Sequence, residues 1–273
     1  MVPDGPAEGG RLSGNGGNGV VADRAREAAY RRLRRLNVAV GMVLVAQAGY
    51  MLLAGNDLAL PVTASFLPAD PVTVREGVVP DTVLEIRIAP AVALFLLLAA
   101  ADHLLVAAPR LHPWYERGLD RWVNYARWTE YAISASVMIV LIGLLVGIRD
   151  LAAVIAIFAV NSAMILFGLL MERHQQPGRA DWSAFWYGAL VGLVPWVIIF
   201  IYLSQPPQVP GFVYAIALFQ FLLYAGFAVN MALQYLRVGR WRDYLYGEVG
   251  YLVLSLTAKS LLAWLIFANV LRS

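Results

Sequence analysis

The chain contains no cysteine, which excludes disulfides, thiol chemistry and thiolate metal sites. Its three histidines, His103, His112 and His174, are too few and too scattered to suggest a metal cluster. Charge is also scarce. Only 14% of the residues are charged and 60% are hydrophobic, whereas a soluble domain averages about a quarter charged and under half apolar. A mean hydropathy of +0.65 places the chain in the membrane class before any motif is considered. The basic residues sit at the ends of apolar runs and do not form one face, so a nucleic-acid partner is not expected. Lysine is almost missing: twenty arginines stand beside one lysine, Lys259.

Apolar runs recur near 33–54, 87–108, 122–147, 151–172, 182–204, 211–236 and 244–270. Each approaches the roughly 20 residues a helix needs to cross a bilayer core. In lipid the backbone must satisfy its own hydrogen bonds, so the runs are predicted to be helices. The expected fold is therefore an all-α, seven-transmembrane-helix bundle over 31–273. Residues 1–30, rich in Gly, Asn, Asp and Arg, are predicted to be a disordered tail with no signal-peptide core. No soluble domain follows the spans, so neither a kinase nor a cyclase is expected in this chain, and no enzymatic activity.

Orientation follows from arginine placement. Fifteen fall on the side of the N-terminus: Arg11, Arg24, Arg26, Arg31, Arg32, Arg34, Arg35, Arg110, Arg117, Arg121, Arg173, Arg179, Arg237, Arg240 and Arg242. Only Arg75, Arg87, Arg149 and Arg272 fall on the other. This predicts a multi-pass protein of the cell membrane with a cytoplasmic N-terminus and an extracellular C-terminus. Short loops make neighbouring helices antiparallel. The long first external loop, about 55–86, is either irregular or holds a small β-hairpin pairing Val72–Val74 with Val83–Ile86. The open edges of such a hairpin favour a partner.

Lys259 lies in the middle of the seventh run, between Tyr251 and Trp264. A cation near mid-membrane costs roughly 2.5–3.5 kcal/mol on the most lenient scale, so something must compensate it. An amine condenses with an aldehyde and a guanidinium does not usefully do so. The alternative is a lysine that snorkels or pairs structurally. A charged nitrogen there needs a negative partner, and Glu130 is the one acid clearly inside a run. Ser134 lies one turn beyond Glu130, and Ser255 one turn before Lys259, on the same faces. Arg127 either holds Glu130 ionised or forms a plain i,i+3 pair with it.

Other intramembrane polar residues carry less. Asp102 and His103 form either a proton-holding cluster or an interfacial pair, while Glu172 and Glu248 are expected to be solvated helix-end residues. Trp182, Trp186, Trp196 and Trp264 either wall a slot for a conjugated chain or anchor helix ends at the interface. Trp186 and Trp264, set deeper, favour the slot.

These residues resemble the microbial rhodopsins. Their arrangement of a seventh-helix lysine facing a third-helix acid, with the Arg127-Trp128-Thr129-Glu130-Tyr131 string, is similar to this one. Within that superfamily the chain resembles the heliorhodopsins through Trp128–Ser136 and Leu254–Trp264. Leu33–Asn37, Asn161–Met164, Ala228–Asn230 and Leu233–Tyr235 carry the likeness further. The resemblance spans all but the tail, and inverted topology is that family's hallmark too. It implies all-trans-retinal as a Schiff base on Lys259, with Glu130 as counterion and Ser255 and Ser134 as hydrogen-bonding neighbours. It also implies that Met138, Asn161, Met164, Gly168, Trp186, Pro195, Tyr224 and Met231 line the retinal. A homodimer through the first external loop is implied as well. Two departures stand out: Leu44 replaces a first-helix histidine of the family, and Met231 replaces a sixth-helix glutamine.

Proton pumps of the wider superfamily carry an acid eleven residues after the counterion and an aspartate four before the lysine. Here those positions hold Leu141 and Ser255. Without them a proton relay lacks alternating carboxylates. The resulting expectation is a photoreceptor in which light isomerises retinal, a proton moves briefly, and helices shift to signal an unknown partner. The alternatives are a light-driven or light-gated ion transporter, and a seven-helix receptor or scaffold without chromophore.

Overall fold

The structure, a computed structural model, describes residues 16–66, 78–205, 207 and 209–272, with side chains from residue 24 onward. Eight α-helices run through it: α1 (Gly16–Ala54), α2 (Ile88–Ala107), α3 (His112–Asp120), α4 (Tyr125–Leu145), α5 (Leu151–His174), α6 (Ser183–Ser204), α7 (Gly211–Tyr235) and α8 (Tyr244–Ile266). All but α3 are long and apolar enough to cross a membrane, giving seven spans among the described residues. The chain is thus a multi-pass membrane protein. The predicted spans and the helices agree closely. One boundary does not: α1 begins at Gly16, so residues 16–30 are helical where a disordered tail was expected. Their alanines and arginines are good helix formers, and Tyr30 and Leu33 are buried against the bundle.

Local chemistry fixes the helix starts. Asn124 caps α4, its side-chain oxygen accepting from the Arg127 N–H at 3.0 Å. Asp150 caps α5 through the Ala153 N–H, and Asp243 caps α8 through the Leu245 N–H, both at 3.0 Å. Asp181 precedes α6 and accepts from both the backbone and the hydroxyl of Ser183 at 2.8 and 2.6 Å. Those bonds hold its carboxyl below the ordinary range. α8 ends in a π-helical turn, Phe267–Leu271.

A two-stranded antiparallel sheet joins α1 to α2: β1 (Ala59–Ala64) and β2 (Asp81–Arg87), in register Leu60 to Ile86 and Val62 to Leu84. The predicted strand 83–86 is therefore real, and its partner is Ala59–Ala64. Val72–Val74, expected to pair with it, lies outside the described residues. The Thr63 N–H of β1 also bonds the Arg149 carbonyl at 2.8 Å, tying the hairpin to the α4–α5 loop. At its base Asn56 donates to the Val270 carbonyl at 3.1 Å. β2 remains largely exposed.

α1 packs on α2, α2 on α4, α4 on α5, α5 on α6, and α7 on α8. α4 is the most enclosed span, two-thirds buried along its apolar window. That enclosure suits it to carry charged groups, because lipid contact would leave them unpaired.

Candidate functional site

At the centre, α8 presents Lys259 and α4 presents Glu130. The Lys259 ammonium donates to Ser255 Oγ at 2.8 Å, one helical turn away. Glu130 Oε1 lies 3.4 Å from Lys259 Nζ, an ion-pair distance. Lys259 is 3% exposed and Glu130 8%. The Tyr131 ring lies beneath the ammonium, 4.8 Å from its centroid, and adds a cation–π contact. The Tyr131 hydroxyl donates to the Tyr251 carbonyl at 3.1 Å, which fixes the ring. Ser134 is fully buried, and its hydroxyl has no protein partner among the described residues.

Arg127 does not pair with Glu130. It forms ion pairs with Glu172 of α5 and Glu248 of α8, all three side chains being almost wholly buried. The expectation that both acids are solvated is thereby corrected. Asn124 donates its backbone N–H to Glu172 at 3.0 Å and its amide to Glu248 at 2.7 Å. Trp128 donates its indole N–H to Glu172 at 2.7 Å. The guanidinium also stacks 3.7 Å from the Tyr251 ring centroid. This cluster closes the arginine-rich side of the bundle above Lys259.

Next to Lys259 runs a mostly apolar cavity between α4, α5, α6, α7 and α8. Met138, Met164, Gly168, Tyr224, Met231, Ser255 and Lys259, all singled out in the sequence, line it. Trp128, Tyr131, Phe167, Phe185 and Phe227 supply aromatic walls that the sequence reading had not assigned there. Ala135, Ala184, Gly188, Ala189, Ala228 and Ala258 keep the space open. At Gly168 the Trp128 ring occupies the place a Cβ would take, so glycine is what lets the indole approach α5 this closely.

Other expected residues fall elsewhere. Trp186 is 64% exposed on the outer surface, one residue and about 100° around the helix from Phe185. Pro195 is buried within α6 and Asn161 is buried against Ser136, its amide donating at 3.0 Å; neither lines the cavity. Trp264 packs outward on Tyr50 at 5.4 Å. His103 Nδ1 shares a hydrogen with Asn37 Oδ1 at 2.7 Å, while its Nε2 has no partner among the described residues. Asp102 and His103 share a small polar cavity with Asn37, Asn124, Arg127 and Glu248. Tyr131 separates that cavity from the apolar one and lines both.

The donor set fits retinal: an enclosed primary amine, a carboxylate to balance it, and a mostly apolar, aromatic-walled cavity beside them. The transmembrane domain of a Salpingoeca rosetta rhodopsin phosphodiesterase is similar in fold, at 16% identity and TM-score 0.59, over 90% of this chain and 87% of that one. A light-driven proton pump from Leptosphaeria maculans is similar too, at 13% identity and TM-score 0.57, over 87% and 95%. No curated protein matches in sequence. The Heliorhodopsin family profile matches residues 33–271, nearly the whole bundle with the lysine and its acid inside it, and the chain thus belongs to the heliorhodopsin family of retinal-binding rhodopsins.

Proposed function

We propose that the protein is a light sensor holding all-trans-retinal on Lys259, with Glu130 as counterion, in the cell membrane with its N-terminus cytoplasmic. One observation supports sensing over pumping. Every carboxylate within the described spans, Glu27, Asp102, Glu130, Glu172 and Glu248, lies level with Lys259 or toward the arginine-rich end. From Val137 to Leu145 α4 carries none, and Leu141, where a pump's second acid would stand, is fully buried. A through-going proton path needs titratable groups in both halves.

Retinal would be held on the Lys259 amine, its aldehyde condensing there with loss of water, and would supply a polyene that changes shape on absorbing light. The protein's own groups set the surroundings. Ser255 accepts from the lysine nitrogen and orients it, and Glu130 balances its charge. Tyr131 holds the ring face against it, and the aromatic walls exclude water. Asp102 and His103, one tyrosine away, stand ready to hold a proton. Helices packed around such a chromophore would shift between two arrangements that fit its two shapes differently, and a signalling partner would read that shift. In liposomes loaded with the pigmented protein, illumination is expected to change the visible spectrum without a sustained pH change. A protonophore-sensitive pH change or a steady photocurrent would instead make the protein a transporter.

β2 is exposed over most of its length, with Val83 and Leu84 about half exposed on opposite faces, and this supports a homodimer closed through the hairpin. Light scattering in detergent is expected to give the mass of two chains, and the mass of one would remove that assembly.

A further inference from the structure

At the arginine-rich end, α3 and the loop after it form a second site on the outside of the bundle. α3 buries Tyr115 and Leu119 against the other helices. On its outer side Trp114 and Arg117 lie three residues apart, and Arg121, the residue that caps the end of α3, follows four residues on. A cleft separates these residues from the start of α4 and is walled by Trp114, Arg117, Arg121, Asn124 and Tyr125. Trp114 and Tyr125 are 45% and 41% exposed, at the level where α4 enters the bilayer.

Several of the other arginines at this end are engaged by protein groups. Arg26 pairs with Asp120, Arg31 with Glu27, and Arg34 donates to the Ala107 carbonyl. Arg240 lies over the Tyr246 ring. Among the described residues no carboxylate pairs with the guanidinium of Arg117 or Arg121. Planar guanidiniums match phosphate oxygens in pairs. Exposed indole and phenol rings settle at headgroup depth. Two free guanidiniums flanked by such rings suit a phosphodiester whose acyl chains lie along the bundle.

We propose that this cleft binds the headgroup of an anionic phospholipid. The floor of the cleft connects it to the interior. Asn124 lines it and also holds Glu172 and Glu248. Two residues earlier Trp122 sits at φ 62°, a left-handed backbone rare for a bulky residue, and packs on Tyr244 at 5.2 Å. A lipid on Arg117 and Arg121 braces this loop, and with it the Arg127 cluster, so occupancy raises the thermal stability of the whole protein.

The test uses the full chain in a neutral detergent, titrated with phosphatidylglycerol or phosphatidylcholine, with bound lipid counted by native mass spectrometry. Two double variants remove the same charge from the same end: Arg117→Gln with Arg121→Gln in the cleft, and Arg173→Gln with Arg179→Gln, exposed outside it. Phosphatidylglycerol is expected to outcompete phosphatidylcholine on the unmodified protein and on the Arg173/Arg179 variant. Its affinity for the cleft variant is expected to fall about tenfold or more. Equal weakening in both double variants would show diffuse attraction to a basic surface and overturn the proposal. So would the absence of any preference for the anionic lipid. Displacement of the lipid by inorganic phosphate at millimolar concentration would show a site for a free anion, and would overturn it as well.

Discussion

Replacing Lys259 with arginine is expected to abolish the visible pigment completely. The arginine keeps a positive charge near Glu130, which lies 3.4 Å from the lysine nitrogen in the native protein. The fold therefore need not accommodate an unpaired buried carboxylate, a loss worth about 3–5 kcal/mol when one partner is deleted. A guanidinium does not condense with an aldehyde under these conditions. Loss of colour in this variant thus reports chemistry at one nitrogen and not unfolding. The measurement is the visible spectrum of the purified protein after adding all-trans-retinal, with Lys259→Ala beside it. The native protein is expected to show a band red-shifted from free retinal, and both variants only the free-retinal band. A red-shifted band in either variant would place the attachment elsewhere and refute the central reading, because Lys259 is the chain's only lysine.

The spans were legible because a bilayer imposes one length and one polarity on each of them, and the seven apolar runs match the seven long helices. The pairing of Lys259 with Glu130 was legible for a related reason. A charge deep in an apolar run has few places to find a partner, and one acid stood clearly within another run. Arg127 shows where this reasoning stops. Its partners lie 45 and 121 residues away, near helix ends where acids are ordinarily solvated. What buries them is tertiary: the Arg121–Asn124 turn and α3 fold over that end of the bundle. Trp186 marks a second limit. Depth along α6 was readable, but the direction its side chain faces was not. A uniformly apolar helix has little amphipathic asymmetry to reveal its inner face, and the inward aromatic proved to be its neighbour Phe185. The hairpin was half legible. β2 carries the mostly apolar run Val83–Ile86 that marks a strand, whereas its partner β1 is also tied by a bond from Thr63 to the Arg149 carbonyl, remote in sequence.

The buried cluster of Arg127, Glu172 and Glu248 leads to the second large effect, on stability. Arg127→Gln would leave two carboxylates in the interior without their cation, each still held by Asn124. Breaking a buried ion pair from one side costs about 3–5 kcal/mol, so the midpoint of thermal unfolding in detergent is expected to fall by roughly 6–20 °C. Removing every charge at once should behave differently. In Arg127→Met combined with Glu172→Gln and Glu248→Gln, no ion remains to be desolvated, and the glutamine amides can still meet Asn124 and Trp128. That triple variant is expected to recover most of the lost stability even though it removes more native contacts than the single one. The comparison separates two accounts of the cluster. If the ion pairs themselves stabilise the bundle, the triple variant unfolds at least as early as Arg127→Gln. If the penalty lies in leaving a buried charge unpaired, the triple variant is the more stable of the two, and the cluster's role is to fix how α4, α5 and α8 meet above Lys259.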